Sequence, residues 1–458
     1  MRVTSPDQSA APRRSDDGRE GGTSDGRRLV VVSQHFPPDN SGHASRVGDM
    51  TTYLDEAGWE VSVLAPPPSF PHGEHPRRWY RTERSAHGGV AVRRLWAWQP
   101  GEADPSTLSR LAYYLTFAVH ATLWLALHGR RYDVVLTTDP PIFTGLAGFL
   151  PALRGTKWVV EVRDLWIDAS VSLGFVREGG LFERLSRAFQ RAALRRADLL
   201  AVTTETLGER LAETYGPELA SKTRVVPNGA DIARLGAPTD PEPREDDTRH
   251  VLVYVGNIGH AQDLESCVRA MAHLEHDAVL RLVGGGDAVS HLRRVVTETG
   301  LEDRVQFVGQ VPRAAVPGIL RAADVGLAPL VKDDGLAYAM PTKVYEYLGC
   351  ARPVVVTGCG ELERFVERSG GGLLAENTPE DIARAVDELL ADPERRTRMG
   401  RAGHEYVHER YDRRNIARRF DGHLSALLGV EVADPASEAA PPAETDPSAG
   451  TEPDLPAR

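Results

Sequence analysis

The stretch AMPTKVYEYLGCARPVVVTG, residues 339–358, predicts a loop, a short helix, a turn and a buried strand. Lys343 falls in the first turn of that helix, at the positive end of the helix macrodipole, where a cation is disfavoured by at least a few tenths of a kcal/mol. The chain has only four lysines against fifty arginines. A lysine at this unfavourable position therefore indicates a local use for positive charge.

The first turn of this helix predicts an anion site. If Thr342 caps the helix, the free backbone amides face an anion, and Lys343 adds a charge at the same place. A bound diphosphate would turn the dipole penalty into an attraction. Glu346, about one turn further on, could accept hydrogen bonds from the hydroxyls of an attached ribose. On spacing alone, an exposed lysine and a glutamate on an ordinary helix remain the alternative.

Short apolar and β-branched runs alternate with helical patterns on both sides of this stretch. Such alternation predicts an α/β protein with parallel sheets covered on both faces. The runs are LVVVSQHF, WEVSVLAP, VAVRRLWAW, DVVLTTDP, KWVVEVRDLW, ADLLAVTTE and TRVVPNG in the first half, then HVLVYVGNIG, AVLRLVGGGD, RVQFVGQV, VGLAPL, RPVVVTG and GGLLAEN. The proline- and charge-rich segment 236–249 separates the two series and predicts a linker between two doubly wound domains.

Composition narrows the class of protein. The net charge is −11, and the last 30 residues hold seven acids and one arginine, so the rest of the chain is only mildly acidic and lacks the basic stripe of a nucleic-acid binder. Three cysteines without CxxC spacing make a disulfide framework or a zinc site improbable and favour a reducing cytoplasm. Both ends are poor in large apolar residues, which predicts disordered tails, and the N-terminus has no signal-peptide pattern.

One apolar stretch, LAYYLTFAVHATLWLALH at 111–128, raises the question of a membrane. Its length is near the lower limit for crossing a bilayer. Its place between candidate strands favours a buried helix of an α/β domain. A helix lying in the membrane interface is the second interpretation, and a true span is the third.

Three glycine-rich loops follow predicted strands, where ligands of such sheets bind. They are QHFPPDNSGHASR (34–46), VGNIGHAQ (255–262) and VGGGD (283–287). None completes G-x-G-x-x-G, because position 289 is Val289, and no P-loop is present, so a nicotinamide-dependent oxidoreductase and a P-loop NTPase are disfavoured. Glycine loops in both halves predict a phosphate-bearing ligand in the cleft between the domains.

Taken together, these motifs resemble the GT-B glycosyltransferases, in particular the retaining enzymes of family 4. The resemblance covers residues 29–428 and rests on SQHFPPDNSGHASR, TTDPPIFTGLAG, EVRDLW, VPNGAD, YVGNIGHAQDLES, VGGGD, VQFVGQVP and MPTKVYEYLGCARPVV. It implies two Rossmann-like domains facing across a cleft. The implied organisation is a tail (1–28), an acceptor domain (29–235), a linker (236–249), a nucleotide-sugar domain (250–411), a helix returning to the first domain (412–428) and an acidic tail (429–458).

The resemblance also assigns roles to single residues. Glu346 matches the family's ribose-binding glutamate, and Lys343 matches a basic residue near the donor diphosphate. Arg163 and Asp164 match a cleft-facing pair on the acceptor side, and His43 is placed with them. The predicted catalytic residues are Lys343 and Asp164, and the predicted donor-binding residues are Gly42, Gly256, Asn257, Gly259, His260, Gly284, Gly285, Gly286, Thr342, Lys343 and Glu346.

The sequence departs from the family pattern at two places. The family signature has a glutamate eight residues before Glu346, where this chain has Tyr338. Many relatives carry an arginine and a lysine after the first strand of the second domain, and this chain has Asn257, His260 and Gln262 in that region. These differences leave the donor sugar and the mode of phosphate binding open.

The function implied by the resemblance is transfer of a sugar from a nucleotide-diphosphate sugar to a glycan or lipid-linked saccharide, with retention. The most similar subgroup transfers amino sugars during polysaccharide and glycan assembly. No suitably placed Asp-x-Asp is present, so neither a metal nor another cofactor is expected. The expected location is the cytoplasm, with peripheral membrane contact as an option. The alternatives are a GT-B nucleotide-sugar epimerase or phosphorylase and a non-catalytic nucleotide-sugar-binding protein.

Overall fold

The structure is a computed structural model that describes residues 27–69, 75–76, 82–100, 106–172, 176–236 and 249–430. The predicted tails and most of the predicted linker therefore lie outside the described residues. Arg27 and Arg28, predicted as tail, belong to the first domain. Arg27 forms an ion pair with Asp421 (2.6 Å), and the Arg28 amide donates to Asp133 (2.9 Å), so these contacts attach both arginines to the first domain and to the last helix.

The first domain is built on a sheet that is parallel except at one edge. Its strand order is β3-β4-β2-β1-β5-β6-β7-β8, and only β3 runs antiparallel to its neighbour β4. The strands are β1 (Arg28–Val32), β2 (Glu60–Ala65), β3 (Glu83–His87), β4 (Val90–Arg94), β5 (Val134–Asp139), β6 (Lys157–Val162), β7 (Leu199–Val202) and β8 (Thr223–Val225).

Strand β3 was not predicted. Its sequence, ERSAH, has no β-branched residue and is mostly exposed, so it lacks the apolar run of a buried strand. The pair Gly88–Gly89, with φ of 55° and 91°, closes a two-residue hairpin, because such tight turns need positive φ at both positions. That glycine pair is the one signal in the sequence that indicates the strand.

The second domain has an entirely parallel sheet, with strand order β11-β10-β9-β12-β13-β14. All its strands lie within the predicted runs. They are β9 (His250–Val255), β10 (Ala278–Val283), β11 (Val305–Gly309), β12 (Val325–Ala328), β13 (Val354–Val356) and β14 (Gly372–Leu374). The predicted fold class, two doubly wound Rossmann-like domains, is confirmed.

Helices cover both sheets and supply the other half of each core. They are α1 (Gly42–Glu56), α2 (Thr107–His128), α3 (Leu146–Leu153), α4 (Trp166–Ser172), α5 (Leu181–Arg196), α6 (Glu205–Tyr215), α7 (Ile232–Leu235), α8 (Leu264–Ala270), α9 (Val289–Thr299), α10 (Val316–Arg321), α11 (Thr342–Gly349), α12 (Glu361–Ser369), α13 (Pro379–Ala391), α14 (Pro393–Tyr411) and α15 (Arg413–Leu427).

The chain crosses between the domains at two adjacent places. The Ala230 amide donates to the Tyr411 carbonyl (3.0 Å), and the Arg413 amide donates to the Ala230 carbonyl (2.9 Å). Ile232 and Leu235 already pack in the core of the second domain, so the predicted boundary at residue 235 lies later than the first crossing. The sequence places these residues after the last strand of the first domain, and only packing assigns them to the second.

Helix α15 packs on the first domain after the second crossing. Ile416, Phe420 and Leu424 are buried against the strands and α1 of that domain, and Asp421 accepts a hydrogen bond from the indole of Trp59 (2.7 Å). The last helix therefore ties the two domains together through a packed apolar face.

Two substitutions in α15 should change stability in opposite directions. Phe420→Leu should lower the free energy of unfolding by about 1 kcal/mol, because the smaller side chain leaves part of the buried ring's space unfilled. Gly422→Ala should raise it by about 0.5–1 kcal/mol, because alanine favours the helix and an added Cβ would meet nothing within 4 Å. Denaturant unfolding of both variants checks the pair. Shifts of the same sign in the two variants would contradict the assigned packing.

Candidate active site

The candidate site lies where the carboxyl ends of the two sheets meet, the usual ligand position in open parallel sheets. Tyr338, from the loop before α11, donates a hydrogen bond to Asp164, which follows β6 of the first domain. The Leu165 amide donates to the Tyr338 hydroxyl (3.3 Å), and Thr204 donates to the Tyr338 carbonyl (2.9 Å). The position that carries the first signature glutamate in the family thus holds a contact between the domains.

The first turn of α11 differs from the prediction in its cap. The helix begins at Thr342, its N-cap is Pro341, and no side chain accepts a hydrogen bond there. The prediction that Thr342 caps the helix is therefore wrong, because Thr342 already has helical geometry. The Val344 amide donates to the Pro341 carbonyl (3.2 Å), and no side chain caps the amides of Thr342 and Lys343. These two amides remain available to an anion, which strengthens the site.

Lys343 is half-buried against the second domain's first strand. Its ammonium donates to the Tyr254 hydroxyl (2.9 Å) and lies 4.3 Å from the centroid of that ring. Burial lowers the pKa of Lys343 to about 8, and the nearby Glu346 only partly offsets this. A cation held where desolvation disfavours it is poised to gain from a bound anion.

The glycines of the two loops in the second domain pack the loops against each other. A Cβ on Gly284 (φ 134°) would lie 1.9 Å from the Gly256 carbonyl oxygen, and one on Gly286 (φ 156°) would lie 2.3 Å from that of Ile258. These glycines thus serve close backbone packing, a reason the sequence prediction did not give. Gly285 joins the loops through its carbonyl, which accepts from the Ile258 amide (2.9 Å).

The other predicted residues of the loop 255–262 differ in exposure and in hydrogen bonding. The Asn257 carbonyl accepts a hydrogen bond from Tyr254, while the Asn257 and His260 side chains are exposed. The Gln262 side chain accepts from the Gly259 amide (3.1 Å) and so shapes the loop. Lys343 lies beside Gly256, within 3.3 Å of the position a Cβ there would take.

Glu346 lies one turn after Lys343, half-buried, and its carboxylate makes no hydrogen bond within the described part of the chain. Burial raises the pKa of Glu346, and the positive charges of Arg413, Arg313 and Lys343 oppose that rise. The carboxylate is thus held in positive surroundings with its acceptor sites unused. That is the state expected of a group that receives ligand hydroxyls.

Arginines from three segments meet near Glu346, and sequence reasoning missed them. Asp49 of α1 pairs with Arg413 (2.5 Å), Arg234 (3.3 Å) and Arg313 (3.7 Å). These arginines come from the last helix, the first crossing and the loop after β11, so no local sequence motif indicates that they form a cluster. The cluster joins the first domain, both crossings and the second domain beside the cleft.

The start of α1 is the first domain's side of the cleft. Ser41 caps the helix by accepting from the Ala44 amide (3.1 Å). Gly42 is exposed, and a Cβ there would meet nothing within 4 Å. The Nε2 atom of His43 lies 2.9 Å from the Ser33 hydroxyl, while its buried Nδ1 atom has no partner. Burial lowers the pKa of His43 well below its usual value, so the ring is neutral near pH 7.

The loop after β6 places Arg163 and Asp164 beside His43. Burial lowers the pKa of Arg163 to about 10, and its Nε atom is buried without a partner. The carboxylate of Asp139, the last residue of β5, accepts from Gln190 (3.1 Å), and burial together with the charge of Asp164 raises its pKa to about 8. The Gln34 side-chain amide is also buried without a hydrogen bond. Sequence reasoning did not single out Asp139, which lies in the predicted run DVVLTTDP, or Gln34, which opens the predicted glycine loop 34–46.

Within the described residues, no group of three or more histidine, cysteine, aspartate or glutamate side chains could hold a metal ion. The expected independence from metals stays a prediction. The predicted donor residues Lys343, Glu346 and the glycine loops line the second domain's edge of the cleft. The predicted acceptor residues His43, Arg163 and Asp164 meet on the first domain's edge.

Tyr338→Phe tests the contact between the domains. Loss of a hydrogen bond to a charged group should cost about 1.5 kcal/mol, seen as a roughly tenfold rise in KM with a smaller change in kcat, because the contact joins the two domains that form the cleft. Tyr132→Phe is the control, since that tyrosine packs on Trp124 (6.2 Å between centroids) in the first domain. Steady-state kinetics check the result. A loss confined to kcat would assign Tyr338 to the chemical step instead.

The pKa of Lys343 predicts a pH dependence of donor binding. The charged lysine should bind a diphosphate better than the neutral one, so donor affinity should fall by up to about tenfold per pH unit above pH 8. Below that pH the affinity should level off. Calorimetric titration across this range checks the profile, and Lys343→Met should remove the decline. A decline that persists in the variant would assign it to another group.

Comparison with known proteins agrees with this architecture. Residues 41–229 match the family described as "Glycosyl transferase 4-like domain", and residues 238–406 match "Glycosyl transferases group 1". A putative colanic acid biosynthesis glycosyl transferase, WcaI of Escherichia coli K12, is 26% identical over 421 residues, 86% of this chain and 98% of that protein. A D-inositol 3-phosphate glycosyltransferase of Kineococcus radiotolerans is 29% identical, covering 82% of this chain and 89% of its own.

Solved structures show the same fold. Sucrose-phosphate synthase from Thermosynechococcus elongatus superposes with a TM-score of 0.69 at 22% identity, covering 88% of this chain and 99% of that one. Anabaena HepE, solved with UDP and glucose, gives a TM-score of 0.65 at 17% identity, covering 87% of this chain and 100% of its own. The chain belongs to the GT-B glycosyltransferases of the family-4-like type.

Proposed function

We propose that this protein is a retaining glycosyltransferase that moves a sugar from a nucleotide-diphosphate sugar to a glycan or lipid-linked saccharide acceptor. The observation that carries the proposal is the first turn of α11. This turn has uncapped amides and the desolvated ammonium of Lys343. One turn further on, the carboxylate of Glu346 has no hydrogen-bond partner among the described residues. A nucleoside diphosphate has complementary groups for all three.

The donor side would act through charge. As the bond to the sugar breaks, negative charge grows on the leaving diphosphate, and the α11 amides with Lys343 would stabilise it. Glu346 would hold the ribose hydroxyls and so keep the diphosphate at the helix start. HepE has been solved with UDP-glucose, a donor of the same chemical class as the one proposed here.

The acceptor side would act through orientation. His43 is neutral, and its Nδ1 atom and the Nε atom of Arg163 are both buried without a partner. Because buried polar atoms are normally hydrogen-bonded, both would gain from the hydroxyl groups of a saccharide. Asp164 would position the acceptor hydroxyl on the face from which the diphosphate leaves. In the retaining reaction the leaving phosphate takes the hydroxyl proton, so transfer needs no separate base.

Assembly of a surface polysaccharide or glycan is the proposed context, with transfer of an amino sugar as the specific case. The similar protein WcaI is described as a putative colanic acid biosynthesis glycosyl transferase, which supports this context. We place the protein at the cytoplasmic face of the membrane. Cys267, Cys350 and Cys359 are all free thiols, which suits a reducing compartment.

A donor screen followed by an assay of transfer tests the proposal. Thermal shift and calorimetry across nucleoside-diphosphate sugars should identify one donor, and saccharide acceptors should then cause release of the nucleoside diphosphate. Product formed without any acceptor would instead favour the epimerase. Donor binding without turnover on any acceptor would favour the non-catalytic binding protein. No binding of any nucleotide sugar would refute the site.

A further inference from the structure

Helix α2 carries a stripe of exposed leucines and a valine along its outer face. The exposed fractions are 78% for Leu108, 39% for Leu115, 45% for Val119, 58% for Leu123 and 83% for Leu127. The last four recur at every fourth residue, which puts them on one face of the helix. The helix contains no acidic residue and one arginine. An amphipathic helix of a domain in water places polar residues on such a face.

Two neighbouring helices extend this apolar surface. Leu153 at the end of α3 is 71% exposed, and Leu181 and Leu185 in the first turns of α5 are 72% and 60% exposed. Arg154 donates to the Ala126 carbonyl of α2 (2.5 Å), and the rings of Phe149 and Phe189 (5.8 Å between centroids) join α3 to α5. The three helices therefore pack side by side, and the exposed leucines lie on neighbouring helices. We call this surface the leucine face.

The inner face of α2 excludes a transmembrane arrangement in this fold. The segment 108–131 is long and apolar enough to cross a bilayer, with a mean hydropathy of 1.2 over its most apolar 18 residues, of which 28% are buried. Tyr113, Phe117, Ala121 and Leu125 on the inner side are at most 1% exposed in the core of the first domain. The helix can meet a membrane with its outer face only, lying along it.

Arginines accompany the leucine face. Arg130 and Arg131 directly follow α2, Arg154 directly follows α3, and Arg184 lies between the exposed leucines of α5. All four are exposed. The one acid of α5, Glu183, is buried and paired with Arg187 (2.7 Å). Apolar side chains bordered by guanidinium groups complement an anionic lipid surface, where both interactions add.

We infer that the leucine face docks in the interface of an anionic lipid bilayer and holds the protein on the membrane by α2, α3 and α5 together. The inner side of α2 reaches the candidate acceptor side, because the Tyr113 ring lies 6.4 Å from that of His35 in the loop after β1. Docking would thus bring the acceptor edge of the cleft next to the lipid surface. Only this placement of an acceptor rests on the proposed function; lipid binding stands independently of it.

Cosedimentation of the full chain with large unilamellar vesicles tests the inference. The protein should bind phosphatidylglycerol-containing vesicles strongly and pure phosphatidylcholine vesicles weakly. The double variant Leu127→Glu/Leu153→Glu should lower the partition coefficient at least about tenfold, because two inserted leucines are lost. Arg130→Gln/Arg131→Gln should lower binding to anionic vesicles and leave the weak binding to phosphatidylcholine. The matched control is Val308→Glu/Leu374→Glu, which changes two exposed apolar residues of the second domain.

The outcomes separate the inference from its rivals. Loss of vesicle binding in the leucine variant alone, with an unchanged melting temperature and unchanged turnover of a water-soluble acceptor, supports it. No binding of the wild type to anionic vesicles overturns it, as does an equal loss in the control. A wild-type dimer that the leucine variant dissociates, without vesicle binding, would assign the face to a second copy. Vesicle binding without any transferase activity would refute only the proposed function.

Discussion

Replacement of Lys343 by methionine should lower kcat/KM for the nucleotide-sugar donor about 100-fold, or roughly 3 kcal/mol. That is the scale of removing one preorganised charge or donor from a transition state that develops negative charge. Methionine keeps the chain that covers Tyr254 and loses only the ammonium. Because burial already lowers the pKa of Lys343 to about 8, the neutral side chain should leave the melting temperature unchanged or raise it. Steady-state kinetics and thermal unfolding measure the two effects.

Lys332→Met is the matched control for this variant. Lys332 is exposed and pairs with Glu376 (2.9 Å), so its loss should change neither donor kinetics nor stability appreciably. Activity that survives in Lys343→Met would show that the α11 amides suffice for the diphosphate. The site would then lose its proposed cation.

Glu346→Gln should weaken donor affinity by about 1.5–3 kcal/mol, which is about 10- to 150-fold. This is the contribution of hydrogen bonds to a charged group. The amide has almost the same shape but offers one acceptor oxygen in place of a carboxylate to the ribose hydroxyls. Calorimetric titration with the donor and with its free nucleoside diphosphate should show the same loss for both, because the ribose belongs to both ligands.

A loss seen only with the intact donor would contradict that assignment. It would place Glu346 against the transferred sugar. Glu376→Gln provides a matched control at an exposed glutamate, and we expect it to bind both ligands as the wild type does. Folding should survive in both variants, since Glu346 makes no hydrogen bond within the described structure whose loss could unfold the chain.

Much of the fold was predictable because its signals are local. Buried parallel strands are continuous apolar runs, and such runs marked every strand of both sheets except β3. Strand β3 lies at an edge, is mostly exposed and has no apolar run. Helix α2 shows the limit in another way. Its apolar composition predicted burial, yet burial holds only for its inner face, because composition does not report which side of a helix has a neighbour.

The candidate site divides along the same line. The pair Lys343 and Glu346 could be found from one stretch, because a helix start and the spacing of one turn are local properties. The ion cluster around Asp49 could not be found so, since its arginines come from separate segments that meet only when both crossings and α15 are in place. The N-cap of α11 was mispredicted by one residue, because Pro341 holds the N-cap position and Thr342 already has helical backbone geometry.

By itself the sequence determined the two-domain α/β architecture, the glycine loops and the charged turn that opens α11, because each depends on residues close together in the chain. Only the tertiary structure decided what Tyr338 touches, which helices expose leucine together, and where the first domain ends. Those features depend on which distant surfaces meet. Side-chain packing between the domains determines which of these surfaces meet. It brings the Tyr338 hydroxyl to Asp164, which is 174 residues away in the sequence.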